Sequence, residues 1–381
     1  MKSQKSLCLA LGLGAIGKAV TGYAMTKAGV HVTYADIAQQ AIDKVNSDAG
    51  YLLATADFYS GRVTTEFITG VDAVHVESDE AKQAAISAEY IVSAVGPKGF
   101  RALLPRVIGW LKARAAVSSA PLYYLIFEND HDALGLLEET VKDTFGKRPE
   151  WLHISKCSIE RMSKQTEIPE VGSVIMGETF LPIIADRKET EGCSLCDRPD
   201  LFERVDDVTA YYYRKLLTNN LGHAVLSYAG HPKGYATTVE AMSDPEIHDL
   251  LQRTLKESAA AVCAHWGFER EEMDRHLETL MLRFSNPGLT DELSRLGRDP
   301  IRKLSSDERI VYAVRLCYEH SICPDALLET LLHAVRYTNP AVERGQELID
   351  LRERIGEEGI LRTVCGAEGR FLEDALRVAG R

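Results

Sequence analysis

Three glycines, at positions 12, 14 and 17, constrain this chain more than any other feature. They stand in Gly12-Leu13-Gly14-Ala15-Ile16-Gly17, directly after the apolar run Leu7 to Leu11. A stretch with helical apolar spacing follows (Ile16, Val20, Tyr23, Ala24) and ends at Gly29. A strand turning tightly into a helix at this spacing lets the backbone approach a pyrophosphate, and the helix N-terminus meets its charge with unpaired N–H groups. A second strand-like run, residues 30–35, closes with Asp36, about 20 residues beyond the turn. A carboxylate there accepts hydrogen bonds from a ribose 2′-hydroxyl and repels a 2′-phosphate, which selects NAD over NADP. The expected cofactor residues are therefore Gly12, Gly14, Ala15, Ile16, Gly17 and Asp36. Val95 and Gly96, at the end of a later apolar run over 90–95, join them on topological grounds.

Strand-like runs at 7–11, 30–35, 90–95 and 122–127 alternate with helical stretches. Such alternation implies parallel pairing in an α/β architecture, a Rossmann-type doubly wound sheet. Beyond about residue 206 the pattern turns helical. Asp244-Pro245-Glu246 offers a cap residue followed by a first-turn proline. Ile247, Leu250, Leu251, Leu255 and Val262 follow at helical spacing, and Gly267 closes the run. Similar amphipathic runs occupy 271–284, 325–337 and 341–354. The expected organisation is an NAD-binding domain over 1–200 and an all-helical substrate and catalytic domain over 201–381. The charged, cysteine-bearing stretch 189–200 reads as their surface connection.

The formal net charge of −12 argues against nucleic acid or an anionic membrane as a partner, so an anionic small molecule would need a local cationic site. Lys2 and Lys5 ahead of the apolar residues 7–16 mimic a secretory leader, but the purposefully spaced glycines favour a buried first strand. No later run reaches the ~18 uninterrupted apolar residues of a membrane span. A cytoplasmic location is expected, with a monomer as the working state and a dimer as the alternative. The eight scattered cysteines are then reduced thiols. Cys193-x-x-Cys196 offers two of the four ligands that structural zinc requires, and no second pair follows. It reads as a solvent-facing loop, and no metal is expected.

Candidate chemistry sits in Lys215-Leu-Leu-Thr-Asn219-Asn220-Leu-Gly-His223. At about 100° per residue, Lys215 and His223 lie about 80° apart, with Asn220 about 60° beyond His223. Oxidising an alcohol by hydride loss needs a base for the hydroxyl proton and donors for the developing oxyanion. A desolvated lysine can serve as the base near neutral pH, and asparagine amides can supply the donors. The same residues also fit a solvated helix face. Lys215-x3-Asn219 equally fits a β-hydroxyacid dehydrogenase, and the glycine turn by itself fits a non-enzymatic NAD sensor.

Lys215-x4-Asn220-x2-His223 resembles the signature of the polyol-specific long-chain dehydrogenases. The likeness continues through the glycine turn, Ala94-Val95-Gly96-Pro97, Glu128-Asn129, Arg283-Phe284-Ser285-Asn286-Pro287 and the Arg295-to-Lys303 stretch. The resemblance implies that Lys215 is the general base, that Asn129 and Asn220 form the oxyanion pocket, and that His223 bonds substrate hydroxyls. It further implies NAD-dependent interconversion of a polyol phosphate and a ketose phosphate, mannitol 1-phosphate and fructose 6-phosphate. Other polyols and uronates are the alternatives within the family. Arg295 and Lys303 match substrate-touching positions. With Arg298 and Arg302 they gather four cations within nine residues, and guanidinium suits bidentate phosphate recognition. Where relatives carry Asp-Arg before an apolar residue, this chain has Glu160-Arg161-Met162. Glu160 and Arg161 thereby join the expected substrate-binding residues, with a longer acid to hold Lys215.

Overall fold

A computed structural model describes residues 6–130, 132–169 and 171–380 of the chain; Lys2 and Lys5 lie outside them. The chain divides into two compact units. The first comprises the chain up to Asp57 together with Arg62–Val208, and the second comprises Phe58–Gly61 and the chain from Thr209 onward.

Six strands of the first unit pair in parallel: β1 (Leu7–Leu11), β2 (His31–Asp36), β5 (Val71–His75), β6 (Tyr90–Ser93), β7 (Leu122–Ile126) and β8 (Leu152–Ser158). Their order is β5-β2-β1-β6-β7-β8. The chain lays β2 and β5 to one side of β1, then crosses back to build β6, β7 and β8 on the other. That reversal is the switch point where doubly wound sheets bind ligands, outside the carboxyl ends of the strands. β11 (Ile183–Asp186) adds antiparallel to β8, and β12 (Phe202–Val205) adds parallel to β11, completing eight strands. All five residues of β7 are buried, as befits a parallel strand covered on both faces.

The expected single sheet is incomplete. A second, mixed sheet runs β4 (Val63–Ile68), β3 (Tyr51–Ala56), β10 (Gly172–Glu178), β9 (Ser163–Ile168). Five of the six residues of β4 are exposed, and β9 reads Ser-Lys-Gln-Thr-Glu-Ile, so neither announces itself by an apolar run. The reading of Cys193-x-x-Cys196 as a solvent-facing loop is also corrected. Both thiols are buried, at 0% and 2% exposure, and pack with Leu195, Leu201 and Phe202 into the core that covers β1 and β7. Charged neighbours such as Glu191 and Asp197 face outward, which is why the segment looked like surface.

Among its described residues the second unit has no strand, only helices and one isolated bridge between Thr237 and Glu292. The helix Pro245–Trp266 starts as expected. Asp244 Oδ1 accepts from the N–H groups of Glu246 (2.9 Å) and Ile247 (3.2 Å), and Gly267, at φ +74°, ends it. Its Leu251, Leu255 and Val262 join Leu217, Leu221, Val225, Val314, Leu328 and Leu331 in one core. Each fully buried leucine contributes ~2 kcal/mol by area. The helix read over 341–354 instead spans Gly345–Thr363, kinked at Gly356, whose φ is +71°. No helix among the described residues is long and apolar enough to cross a membrane.

Candidate active site

The three glycines of the turn meet three different requirements. Gly12 has φ +102°, and a Cβ there would sit 2.6 Å from the Ala94 carbonyl oxygen, across the switch point. Gly17 lies so close beneath the turn that a Cβ would stand 2.1 Å from the Gly12 oxygen. At Gly14 a Cβ would have nothing within 4 Å. Two glycines thus close the fold and the third borders open space, which fits a phosphate-bearing cofactor. Asp36 ends β2 and braces the same turn: Oδ2 accepts from Leu13 N at 2.6 Å and Oδ1 from Ala38 N at 2.9 Å. Ala15 and Ile16, half-buried, open the helix beyond.

That helix is not regular. Its Gly17–Gly22 segment is a π turn, and side chains from elsewhere bond its carbonyls. The Tyr34 hydroxyl donates to Gly17 O at 3.0 Å, and the Tyr51 hydroxyl donates to Lys18 O at 2.7 Å. Arg161 Nη1 donates to Ala19 O. The Arg161 guanidinium also bonds Glu178 O (Nε, 2.7 Å) and Thr55 Oγ1 (Nη2, 3.1 Å), and packs over the rings of Tyr23 and Phe180. At 3% exposure, with burial pulling its pKa down to about 10, Arg161 is built into the cofactor unit rather than presented to a ligand. Its expected role in substrate binding gives way to one of support. Glu160, half-buried, lies just beyond β8.

Val95 and Gly96 follow β6 at the same sheet edge, but their N–H groups are already engaged. Glu128 Oε1 accepts from Val95 N and Oε2 from Gly96 N, each at 2.8 Å. Only their carbonyls and side-chain faces could meet a cofactor. Burial raises the Glu128 pKa, opposed by those two hydrogen bonds. Asn129, the next residue, is exposed beyond the carboxyl end of β7.

Residues 208–230, all but the first of them in the second unit, form one continuous helix: Val208–Lys215, a π turn over Leu216–Asn220, then Leu221–Gly230. The π turn corrects the angular count made at a uniform 100° per residue. One inserted residue removes about 100° from the separation, so Lys215 and His223 lie about 20° apart rather than 80°. Such turns favour functional sites, where widened carbonyls bond to side chains. Here Ser258 Oγ donates to Leu217 O (2.6 Å) and Arg309 Nη1 to Asn220 O (3.5 Å), while Thr218 Oγ1 back-bonds to Arg214 O (2.5 Å), just ahead of the turn. Lys215 and Asn220 are half-buried. Asn219 is 5% exposed, and its Oδ1 is buried without a hydrogen-bond partner.

His223, 9% exposed, packs edge-on against Phe284 with ring centroids 5.0 Å apart. Burial lowers its pKa to about 3, so the imidazole is neutral and can both donate and accept. Its Nε2 lies 4.0 Å from Oδ2 of Asp291, whose Oδ1 pairs with Arg295 Nη2 at 2.6 Å. Asp291 was missed in the sequence, although its spacing of four from Arg295 was a usable signal. Lys303 is buried and donates to Leu296 O. Desolvation, then the charges of Arg309 and Arg302, bring its pKa down to about 7. Arg302 is neutralised by Asp299 (2.7 Å) and Glu308, while Arg298 Nε donates to Arg295 O at 3.2 Å. Of the four clustered cations, Arg295 is joined to His223 through Asp291, and Lys303 is the buried one.

A family model described as the mannitol dehydrogenase Rossmann domain matches residues 6–173, and one described as the mannitol dehydrogenase C-terminal domain matches 207–361. A mannitol-1-phosphate 5-dehydrogenase of Exiguobacterium sp. is 30% identical over 93% of this chain and 90% of its own length. One from Oceanobacillus iheyensis is 28% identical over 94% and 92%. Among solved structures, the Pseudomonas fluorescens mannitol 2-dehydrogenase ternary complex with NAD and D-mannitol superposes with a TM-score of 0.75 at 15% identity, covering 99% of this chain and 92% of that one. A D-sorbitol dehydrogenase in substrate-free form gives 0.70 at 15% identity, over 87% and 80%. These two share the fold. The matches run through both units, and this chain belongs to the mannitol dehydrogenase family.

Proposed function

We propose that the chain is an NAD-dependent oxidoreductase interconverting mannitol 1-phosphate and fructose 6-phosphate, a cytoplasmic enzyme working as a monomer. The observation that carries this reading is the end-to-end likeness to relatives named mannitol-1-phosphate 5-dehydrogenase, at 28–30% identity. NAD, when bound, supplies the hydride-accepting and hydride-donating ring. The domain over 1–200 would hold it through Gly12, Gly14, Ala15, Ile16, Gly17 and Asp36, with Val95 and Gly96 beside it. The domain over 201–381 would supply the base and hold the substrate.

Lys215 takes the proton of the reacting hydroxyl on oxidation and returns it on reduction. Asn220 and Asn129 donate hydrogen bonds to the oxygen as its charge develops. Neutral His223 donates to one substrate hydroxyl, a role that suits a group uncharged throughout the physiological range. Arg295, oriented by Asp291, and Lys303 hold the phosphate. The burial of Asn219 favours Asn220 as the amide facing substrate, against the β-hydroxyacid reading. Steady-state NADH consumption with fructose 6-phosphate, then with unphosphorylated fructose and with uronates, tests the assignment. Preference for a uronate would move the substrate elsewhere in the family, and no turnover despite tight NAD binding would leave a sensor.

Replacing Asp36 with alanine is expected to lower the preference for NAD over NADP by tenfold or more, ~1.4 kcal/mol, roughly one charged hydrogen bond and the lost repulsion. The ratio of kcat/KM values with the two coenzymes measures it. An unchanged ratio would assign the ribose to another residue. A second expectation concerns pH. The Lys303 ammonium is charged below about 7 and neutral above, so KM for the phosphorylated ketose should climb as pH rises through 7. Lys303→Arg, which stays charged, should flatten that climb.

A further inference from the structure

The second unit contains a histidine cluster that uses none of the residues proposed for the reaction. His265 stands in the last turn of Pro245–Trp266, and Glu319 and His320 close the helix Arg309–Glu319. These helices contact one another directly, with Cys317 Sγ placed 3.7 Å from Glu257 O. One ligand atom from each of His265, Glu319 and His320 falls within 4.8 Å of the other two.

Nδ1 of His265 lies 3.2 Å from Nε2 of His320. Two nitrogens each bonded at about 2.05 Å to a tetrahedral zinc stand ~3.3 Å apart, so the rings already have the spacing of a shared ion. Electrostatics points the same way. Both helices offer their C-terminal ends, whose unpaired carbonyls carry partial negative charge and attract cations. The position of His265 is also supported by packing: its ring meets Trp266 at 4.4 Å, and Trp266 stacks on Tyr213 at 5.1 Å. His265 and Glu319 are exposed, which leaves an entry path and room for a water ligand.

We propose that His265, Glu319 and His320 form a binding site for a divalent transition metal of the zinc class, clamping two helix ends together. Imidazole suits zinc, copper and nickel, whereas magnesium and calcium prefer oxygen donors. On binding, Nδ1 of His265 and Nε2 of His320 each give a lone pair to the ion, and each neutral ring keeps its one proton on its other nitrogen.

The test is calorimetric titration of the metal-free full-length protein with Zn²⁺, repeated with Co²⁺ followed by visible absorption. One Co²⁺ is expected with a tetrahedral spectrum lacking a thiolate-to-metal charge-transfer band, and Zn²⁺ should raise the Tm. His265→Ala and His320→Ala should each weaken zinc binding ~100-fold or more, and Cys193→Ser should leave it unchanged. The proposal is overturned if the Co²⁺ complex shows thiolate charge transfer that disappears in Cys193→Ser. It is equally overturned if the His265→Ala/His320→Ala double variant binds zinc as tightly as the parent.

Discussion

Replacing Lys215 with alanine is expected to lower kcat by ~10² or more while the dissociation constant for NAD stays unchanged, the scale for removal of a positioned general base. In the proposed mechanism the reacting hydroxyl keeps its place but loses the group that takes its proton. The rate that remains then depends on hydroxide, so the residual kcat rises with pH beyond the parent's plateau. Stopped-flow single turnovers would separate chemistry from release, and fluorescence titration would report coenzyme affinity. A small external amine that partly restores the rate would identify the missing function as proton transfer. If the variant turns over at the parental rate near neutral pH, lysine is not the base.

The second large effect concerns Arg161. Arg161→Met removes a planar fork that satisfies Ala19 O, Glu178 O and Thr55 Oγ1 from within a buried pocket. Each abandoned buried acceptor costs ~1–3 kcal/mol, so ~3 kcal/mol in all is a conservative expectation. Arg161→Lys should recover little of it, because one ammonium cannot span three separated acceptors. Thermal unfolding should therefore show both variants well below the parent. NAD affinity should fall too, since the π turn that Arg161 braces begins at the glycine that packs against the turn. A substrate-binding role would produce the opposite pattern, a higher KM at unchanged Tm.

Arg161 also shows where sequence reading stops. A conspicuous arginine beside a chemical motif looks the same on paper whether its fork faces a ligand or the protein's own carbonyls. Its acceptors lie 17, 106 and 142 residues away in the chain. The glycine turn was legible because its reasons are local: a positive φ at Gly12, closeness at Gly17 and openness at Gly14 are all set within six residues. The parallel sheet was partly legible for a related reason, since β1, β2, β6 and β7 are buried on both faces and therefore read as apolar runs. β4 and β9 were hidden because their stability comes from pairing rather than from apolar content. Cys193 and Cys196 misled for the converse reason: they are core residues set among charges. Asp291 could have been found, because an acid one helical turn ahead of a candidate phosphate-binding arginine is a natural orienting partner.

The widened turn at 216–220 bears on how this chain should be aligned with shorter kin. A residue spliced into a helix in this way leaves its two flanks facing as they would in a regular helix one residue shorter. Excising a single position from that turn would therefore keep lysine and histidine side by side while surrendering the carbonyls that Ser258 and Arg309 now bond. A one-residue gap placed there would respect the geometry of the helix, and one placed between 220 and 223 would break it.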